Sequence, residues 1–227
     1  MNSDRLETYK KIASGFINKT VARNIVFAIS GILLFLVGTV VYGIVLNMRD
    51  IPLSEAMIKK GFTRLEDVSI VIERKNYVLH VYEDTVLIKS YRASFGRNLR
   101  NKKTFADDGA TPVGSYSVCS IDSSHTYYKY LKLNYPNLDD AVEALRKGII
   151  TQREFNNLKF DFYYKECIET ETVLGNNIGI HGIGRLNYVF KNLPFVYNWT
   201  DGSIALSNEN IDEILSVIRK GTKVVIK

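Results

Sequence analysis

At 227 residues, 46% apolar and 24% charged, the chain has the composition of a globular protein of one or two domains, and a disordered or fibrous one is excluded. Its net charge of +6 is concentrated partly in the first residues, where Arg5, Lys10, Lys11, Lys19 and Arg23 outnumber Asp4 and Glu7. No dense basic stripe follows, which argues against nucleic acid as a partner. Cys119 and Cys167 lie in no C-x-x-C motif and beside no histidine, so neither a metal centre nor a cofactor is expected. The two could pair in an oxidising compartment, although a core of this size does not need a bridge; the sequence does not show whether they come close enough, and the pairing stays open.

The first element is a run without charge, residues 25–46, IVFAISGILLFLVGTVVYGIVL. About 20 apolar residues at 1.5 Å rise cross a hydrocarbon layer of roughly 30 Å. The run is longer than the ~7–15 residues of a signal-peptide core, and no small-x-small cleavage site follows it. A buried helix of this length would show a polar face, and this one shows none. It is read as an uncleaved anchor behind a cytoplasmic tail, residues 1–24. Lys19 and Arg23 place the N-terminus inside and the large C-terminal part outside the cytoplasmic membrane. One span argues against a channel or transporter.

Residues 47–67 read as a connector with two helical turns over Ser54–Lys60, capped by Ser54 and stopped by Gly61. From Val68 the pattern turns to strands. Val68–Ile72 is β-branched, Tyr77–Tyr82 and Thr85–Tyr91 flank a Glu83-Asp84 hairpin turn, and Gly114–Val118 alternates apolar and polar. A helical insertion interrupts them at about 138–160. Asp139–Gly148 has acids first, a base near its end and a glycine stop, and Thr151 with Glu154 forms a capping box. The insertion is either a lid over a site or surface decoration. Near the end, Ser207 or Asn208 caps a helix carrying Ile211, Ile214, Leu215 and Ile218 on one face. Gly221 stops it, and Thr222–Ile226 is a last strand. Residues 68–227 thus form one mainly β domain.

Three histidines are available. His80 sits in an alternating strand and His125 in a polar loop, and both read as ordinary structural residues. His181 follows the strand-like Ile178-Gly179-Ile180 and precedes Gly182 and Gly184, which lets backbone or ligand approach closely. Thr200-Asp201-Gly202-Ser203 is first of all a β-turn. The same turn would expose a nucleophile at the start of a strand and aim amide N–H groups at an oxyanion. Each segment taken alone favours plain structure.

Together the segments resemble the YkuD-type L,D-transpeptidases. Ser94-Phe95-Gly96-Arg97-Asn98 is similar to the family's S-x-G-x-N segment. Lys102 or Lys103 with Asp107/Asp108-Gly109-Ala110-Thr111-Pro112-Val113-Gly114-Ser115-Tyr116 resembles its K…GD..TP.G.Y segment. Asn134-Tyr135-Pro136-Asn137 resembles NYPN, and Leu174–Gly182 resembles LG..IGIHG. Trp199–Leu206 resembles W-T-x-G-C-I-A-L with Ser203 at the position of the nucleophilic cysteine. The resemblance implies a β-sandwich-like catalytic domain behind the anchor. It implies acyl transfer on peptidoglycan stem peptides, with no cofactor. In the family's terms His181 is the base, the Gly182 carbonyl orients it, Ser203 fills the nucleophile slot, and the amides around Gly202 and Ser203 bind the oxyanion. Asp201, Trp199 and Thr111 are candidate substrate contacts. The resemblance also implies a single-pass protein of the bacterial inner membrane with the domain outside.

Serine changes the chemistry. A thiol ionises near pKa ~8.5 and is drawn toward thiolate by a histidine, whereas a hydroxyl is a weak nucleophile without a well-oriented base. Three readings therefore stay open for Ser203. It is a change that silences or traps the enzyme, a natural loss that leaves a binding or regulatory domain, or a working serine with Asp201 reaching His181.

Overall fold

The computed structural model describes residues 19–48, 50–193 and 195–227; residues 1–18 of the expected tail lie outside them. The chain divides into an N-terminal unit holding helix α1 (Lys19–Asn47) and a larger unit holding every strand. Helix α1 is long and apolar enough to cross a membrane, with a mean hydropathy of 2.5 in its most apolar window. It is apolar all round, and Phe27, Leu34 and Phe35 are exposed. A signal sequence near an N-terminus meets the same test of length and composition.

In the larger unit the stretch read as a connector is packed. Helix α2 (Leu53–Lys59) buries Leu53 and Ala56 in a small cluster with Leu65 and Ile88. Ser54 is not its cap. Pro52 holds that position without a side-chain hydrogen bond, so the cap lies two residues earlier than expected. Gly61 at φ +86° then ends it, as expected.

The strands are β1 (Val68–Glu73), β2 (Val78–Glu83), β3 (Val86–Arg92), β4 (Gly114–Asp122), β5 (Tyr130–Leu133), β6 (Gly179–Gly182), β7 (Ile204–Leu206) and β8 (Lys223–Ile226). Their order is β3-β2-β1-β8-β4-β5-β6-β7, with β8 parallel to β1 and β7 parallel to β6. The sheet curls on itself. Just after β3, Ser94 exchanges two 2.8 Å backbone hydrogen bonds with Ala205 of β7. The mainly β, sandwich-like domain is as expected, its two layers being the halves of one curled sheet. Alternation decides its inner face: Ile70, Ile72, Leu79 and Val81 point into a core shared with Phe95, Tyr135, Ile180 and Ile204. The hairpin turn falls at Asp84-Thr85, with Asp84 at φ 50°, one residue later than read. The short strand β5 was not foreseen.

The insertion forms α3 (Leu138–Arg146) and α4 (Gln152–Tyr164), which runs past the expected boundary. Both start with capping boxes, Asn137/Asp140 and the expected Thr151/Glu154. They enclose a second core of Ala141, Ala144, Ile150, Leu158, Ile168 and Leu174. The chain then returns past β4, where Cys119 and Cys167 form a disulfide with Cα atoms 5.2 Å apart. The pairing left open by the sequence is thus formed. The fold brings back a segment 48 residues away in sequence, which spacing alone does not reveal. Beyond β6 come a 3₁₀ turn (Gly184–Leu186) and α5 (Asn187–Lys191). The last helix, α6 (Asn208–Leu215), is capped by the side chain of Ser207 and buries Ile211 and Ile214.

Candidate functional site

The parallel register of β6 and β7 builds the site. Ile180 pairs with Ile204 and His181 with Ala205. One step back, Ser203 therefore lies beside Gly179, two residues before His181 and on the same face of the sheet. Both side chains line a cavity of about 490 Å³, with Trp199 and Asp201 at its wall.

The Thr200–Ser203 turn is fixed by one buried side chain. Thr200 Oγ1 donates to the Ser203 carbonyl at 2.6 Å and accepts from the Gly202 N–H at 3.3 Å. Gly202 sits at φ +130°, and a Cβ there would lie 2.6 Å from the Ala110 carbonyl oxygen. Only glycine fits this turn. The Gly202 amide, expected as an oxyanion donor, is thus directed at Thr200 through a long contact.

His181 is 3% exposed. Its Nδ1 donates to the Gly182 carbonyl at 2.7 Å, as expected, so the lone pair is left on Nε2. Burial lowers its pKa from 6.5 to about 4; the Gly182 hydrogen bond opposes that shift and the nearby His125 adds to it. The imidazole is neutral at neutral pH, the form a general base needs. Asn208 holds the loop beyond it, accepting from Gly184 N at 2.9 Å and donating to Gly184 O at 3.2 Å.

The Ser203 hydroxyl accepts from the Gly179 N–H at 3.2 Å and interacts with the Tyr130 phenol. Burial pushes that phenol up to about 12, and the Ser203 hydrogen bond offsets part of the rise. Among the described residues no hydrogen bond joins Ser203 to His181. Asp201 is exposed and forms an ion pair with Arg97 at 2.9 Å. With Nδ1 already bonded to Gly182, the Asp201–His181 link of a serine triad is not formed. Thr111 is also placed away from the cavity. It is 0% exposed, and its hydroxyl accepts from Gly96 N at 2.9 Å, so it supports the fold and offers no surface to a ligand.

Sequence reading missed an aromatic wall. The His125 ring stacks on Tyr130 at 4.6 Å, and Tyr127 packs 5.1 Å from His181 and 5.4 Å from Trp199. The aromatic density of His125-Thr126-Tyr127-Tyr128-Lys129-Tyr130 was the available signal. The indole N–H of Trp199 is buried without a partner among the described residues. The opposite choice of lysine is also resolved. Lys103 forms the buried pair with Asp108, at 3.0 Å, while Lys102 binds Glu143 on α3. Among the described residues no cluster of acidic, histidine or cysteine side chains suits a metal ion.

A family profile described as the YkuD L,D-transpeptidase catalytic domain matches residues 67–226. Solved structures similar to this chain include the helical cell shape determining protein Pgp2 from Campylobacter jejuni, at 21% identity and TM-score 0.47 over 70% of this chain and 47% of that one. An L,D-transpeptidase from Xylanimonas cellulosilytica is 15% identical, with TM-score 0.41 over 78% and 70%. One from Mycobacterium tuberculosis H37Rv is 17% identical, with TM-score 0.40 over 71% and 57%. The chain spans about half the length of Pgp2. No curated protein is a significant match.

Proposed function

The chain belongs to the YkuD family of L,D-transpeptidase catalytic domains, and from that premise we propose that it is a membrane-anchored, extracytoplasmic domain that binds peptidoglycan stem peptides and turns them over slowly or not at all. The observation that carries this reading is the state of Ser203. It holds the nucleophile's position, yet among the described residues its hydroxyl is bonded by the Gly179 N–H and not by the base, while the Tyr130 phenol beside it donates to Asn177.

With cysteine at position 203, the neutral His181 Nε2 takes the thiol proton. The thiolate attacks the L,D-peptide carbonyl of a tetrapeptide donor, and the tetrahedral oxyanion faces the amides around Gly202 and Ser203. The Gly202 N–H must exchange its weak Thr200 contact for that role. As the C–N bond breaks, His181 returns the proton to the departing D-Ala amine. An amine acceptor or water then resolves the thioester. With serine, the proton is held far more tightly, and among the described residues the imidazole is supported by the Gly182 carbonyl and by no carboxylate. Acylation is slower by orders of magnitude. The serine-hydrolase reading is less favoured, because Asp201 pairs with Arg97 and the His181 Nδ1 it would need is bonded to the Gly182 carbonyl.

An outside location is favoured by the length of α1, by Lys19 and Arg23 before it, and by the Cys119–Cys167 bridge, which suits an oxidising compartment. The test is Ser203→Cys followed for D-Ala release from a tetrapeptide stem, with the unaltered protein assayed for binding to intact sacculi. Release by the cysteine form and binding without turnover by the serine form are expected. A folded cysteine form that releases no D-Ala contradicts the proposal.

A further inference from the structure

His125 lies in the β4–β5 loop, half-buried, and lines the same cavity as His181 and Ser203. Its ring is held flat on Tyr130 at 4.6 Å and faces the His181 ring at 6.5 Å. The backbone N–H of Tyr127 donates to His125 Nδ1 at 3.2 Å. An imidazole nitrogen that accepts carries no proton, so the neutral ring must hold its proton on Nε2. His181 has the reverse arrangement, with its proton on Nδ1 and its lone pair on Nε2. The two rings thus use Nδ1 in opposite senses, accepting in His125 and donating in His181, so Nε2 is a donor on the one and a lone pair on the other. Tyr128 follows in the left-handed region at φ +79°, a backbone conformation uncommon outside glycine that sets the course of the loop behind His125.

Among the described residues no hydrogen bond takes the His125 Nε2–H. Two further donors line the cavity: the Lys103 ammonium serves Asp108 and the carbonyls of Phe105 and Ala106, whereas the Trp199 indole N–H is buried and, among the described residues, also without a partner. We infer that His125 is a substrate-binding residue, whose Nε2–H holds an acceptor oxygen, carbonyl or carboxylate, of a peptide lying across His181 and Ser203. The inference rests on the stem-peptide reading above and adds the group that positions the ligand.

The experiment uses the unaltered Ser203 protein and the tetrapeptide stem as probe, with titration calorimetry and ¹⁵N-imidazole NMR. The free protein should show His125 protonated on Nε2, and peptide should shift that resonance. His125→Phe keeps the stacking ring but no nitrogen, and should weaken binding roughly tenfold, the value of one hydrogen bond of about 1.4 kcal/mol. His125→Gln keeps an N–H donor at similar reach and should stay within about threefold of the parent. Equal binding by the parent and His125→Phe, or a His125 proton on Nδ1, overturns the inference while the stem-peptide reading stands. A parent that binds no tetrapeptide overturns both.

Discussion

The two sides of the cavity are held by different means. The β6–β7 edge carries His181 on a three-residue parallel ladder and Ser203 just before it, with backbone hydrogen bonds, glycines in close contact and one threonine holding the proposed reaction centre. The facing wall, residues 171–177, has no regular structure. It hangs from the insertion's small core and from side chains: Asp161 accepts from Glu169 N, Thr170 N and Thr170 Oγ1, and the Cys119–Cys167 bridge ties the returning chain to β4. The chemistry is thus placed by the sheet, and the shape around it by a stapled loop. Loops held by few buried contacts open at lower free energy than sheet ladders, so the two sides should fail separately.

The largest effect should come from breaking the edge. Gly202→Ala must relieve a 2.6 Å contact with the Ala110 carbonyl from a backbone at φ +130°. It should destabilise the domain by about 4 kcal/mol, read as a fall in denaturation midpoint. Hydrogen exchange should rise at β7 before the insertion. Breaking the wall comes next. Replacing Cys119 and Cys167 by serine should cost about 2–4 kcal/mol. Exchange should rise first in residues 165–177, with the His181 environment kept; a uniform rise through β6 would refute the separation of the two sides.

The edge can also be probed by pH. The His181 pKa falls from 6.5 to about 4 on folding, so the unfolded chain takes up a proton that the folded one refuses. This contribution is complete above pH 6.5 and is lost as pH falls toward 4, on the order of 3 kcal/mol in all. His181→Phe should flatten that part of the stability–pH curve; an unchanged curve would mean the histidine is not buried neutral. The smallest effect is Thr200→Val, which loses two hydrogen bonds of the turn and should cost about 1–2 kcal/mol. Stem-peptide binding should fall with it, because Ser203 loses its anchor.

The same division governs what could be read from the chain. The edge was legible because its parts are local: Ile178–His181 alternates into a strand, and Asp201-Gly202 marks the turn. The capping boxes of α3 and α4 and the Ser207 cap are also short-range patterns. The wall was not legible, since Cys119 meets Cys167 only after the insertion has folded back. His125 reads as a loop residue until β5 pairs with β6 and sets Tyr130 opposite His181. Thr111 was misread for the opposite reason. The TP.G.Y motif marks it, but its hydroxyl supports the Gly96 amide inside the fold.

In the proposed function, the acyl-transfer site is complete except for one atom, the oxygen of Ser203. Intact-protein mass measurement after incubation with tetrapeptide stem tests it most directly. The Ser203→Cys protein should gain the mass of the stem less D-Ala, while the Ser203 protein stays unshifted. A Ser203 protein that acylates as fast as its cysteine variant, or a folded cysteine variant that never acylates, would contradict the account.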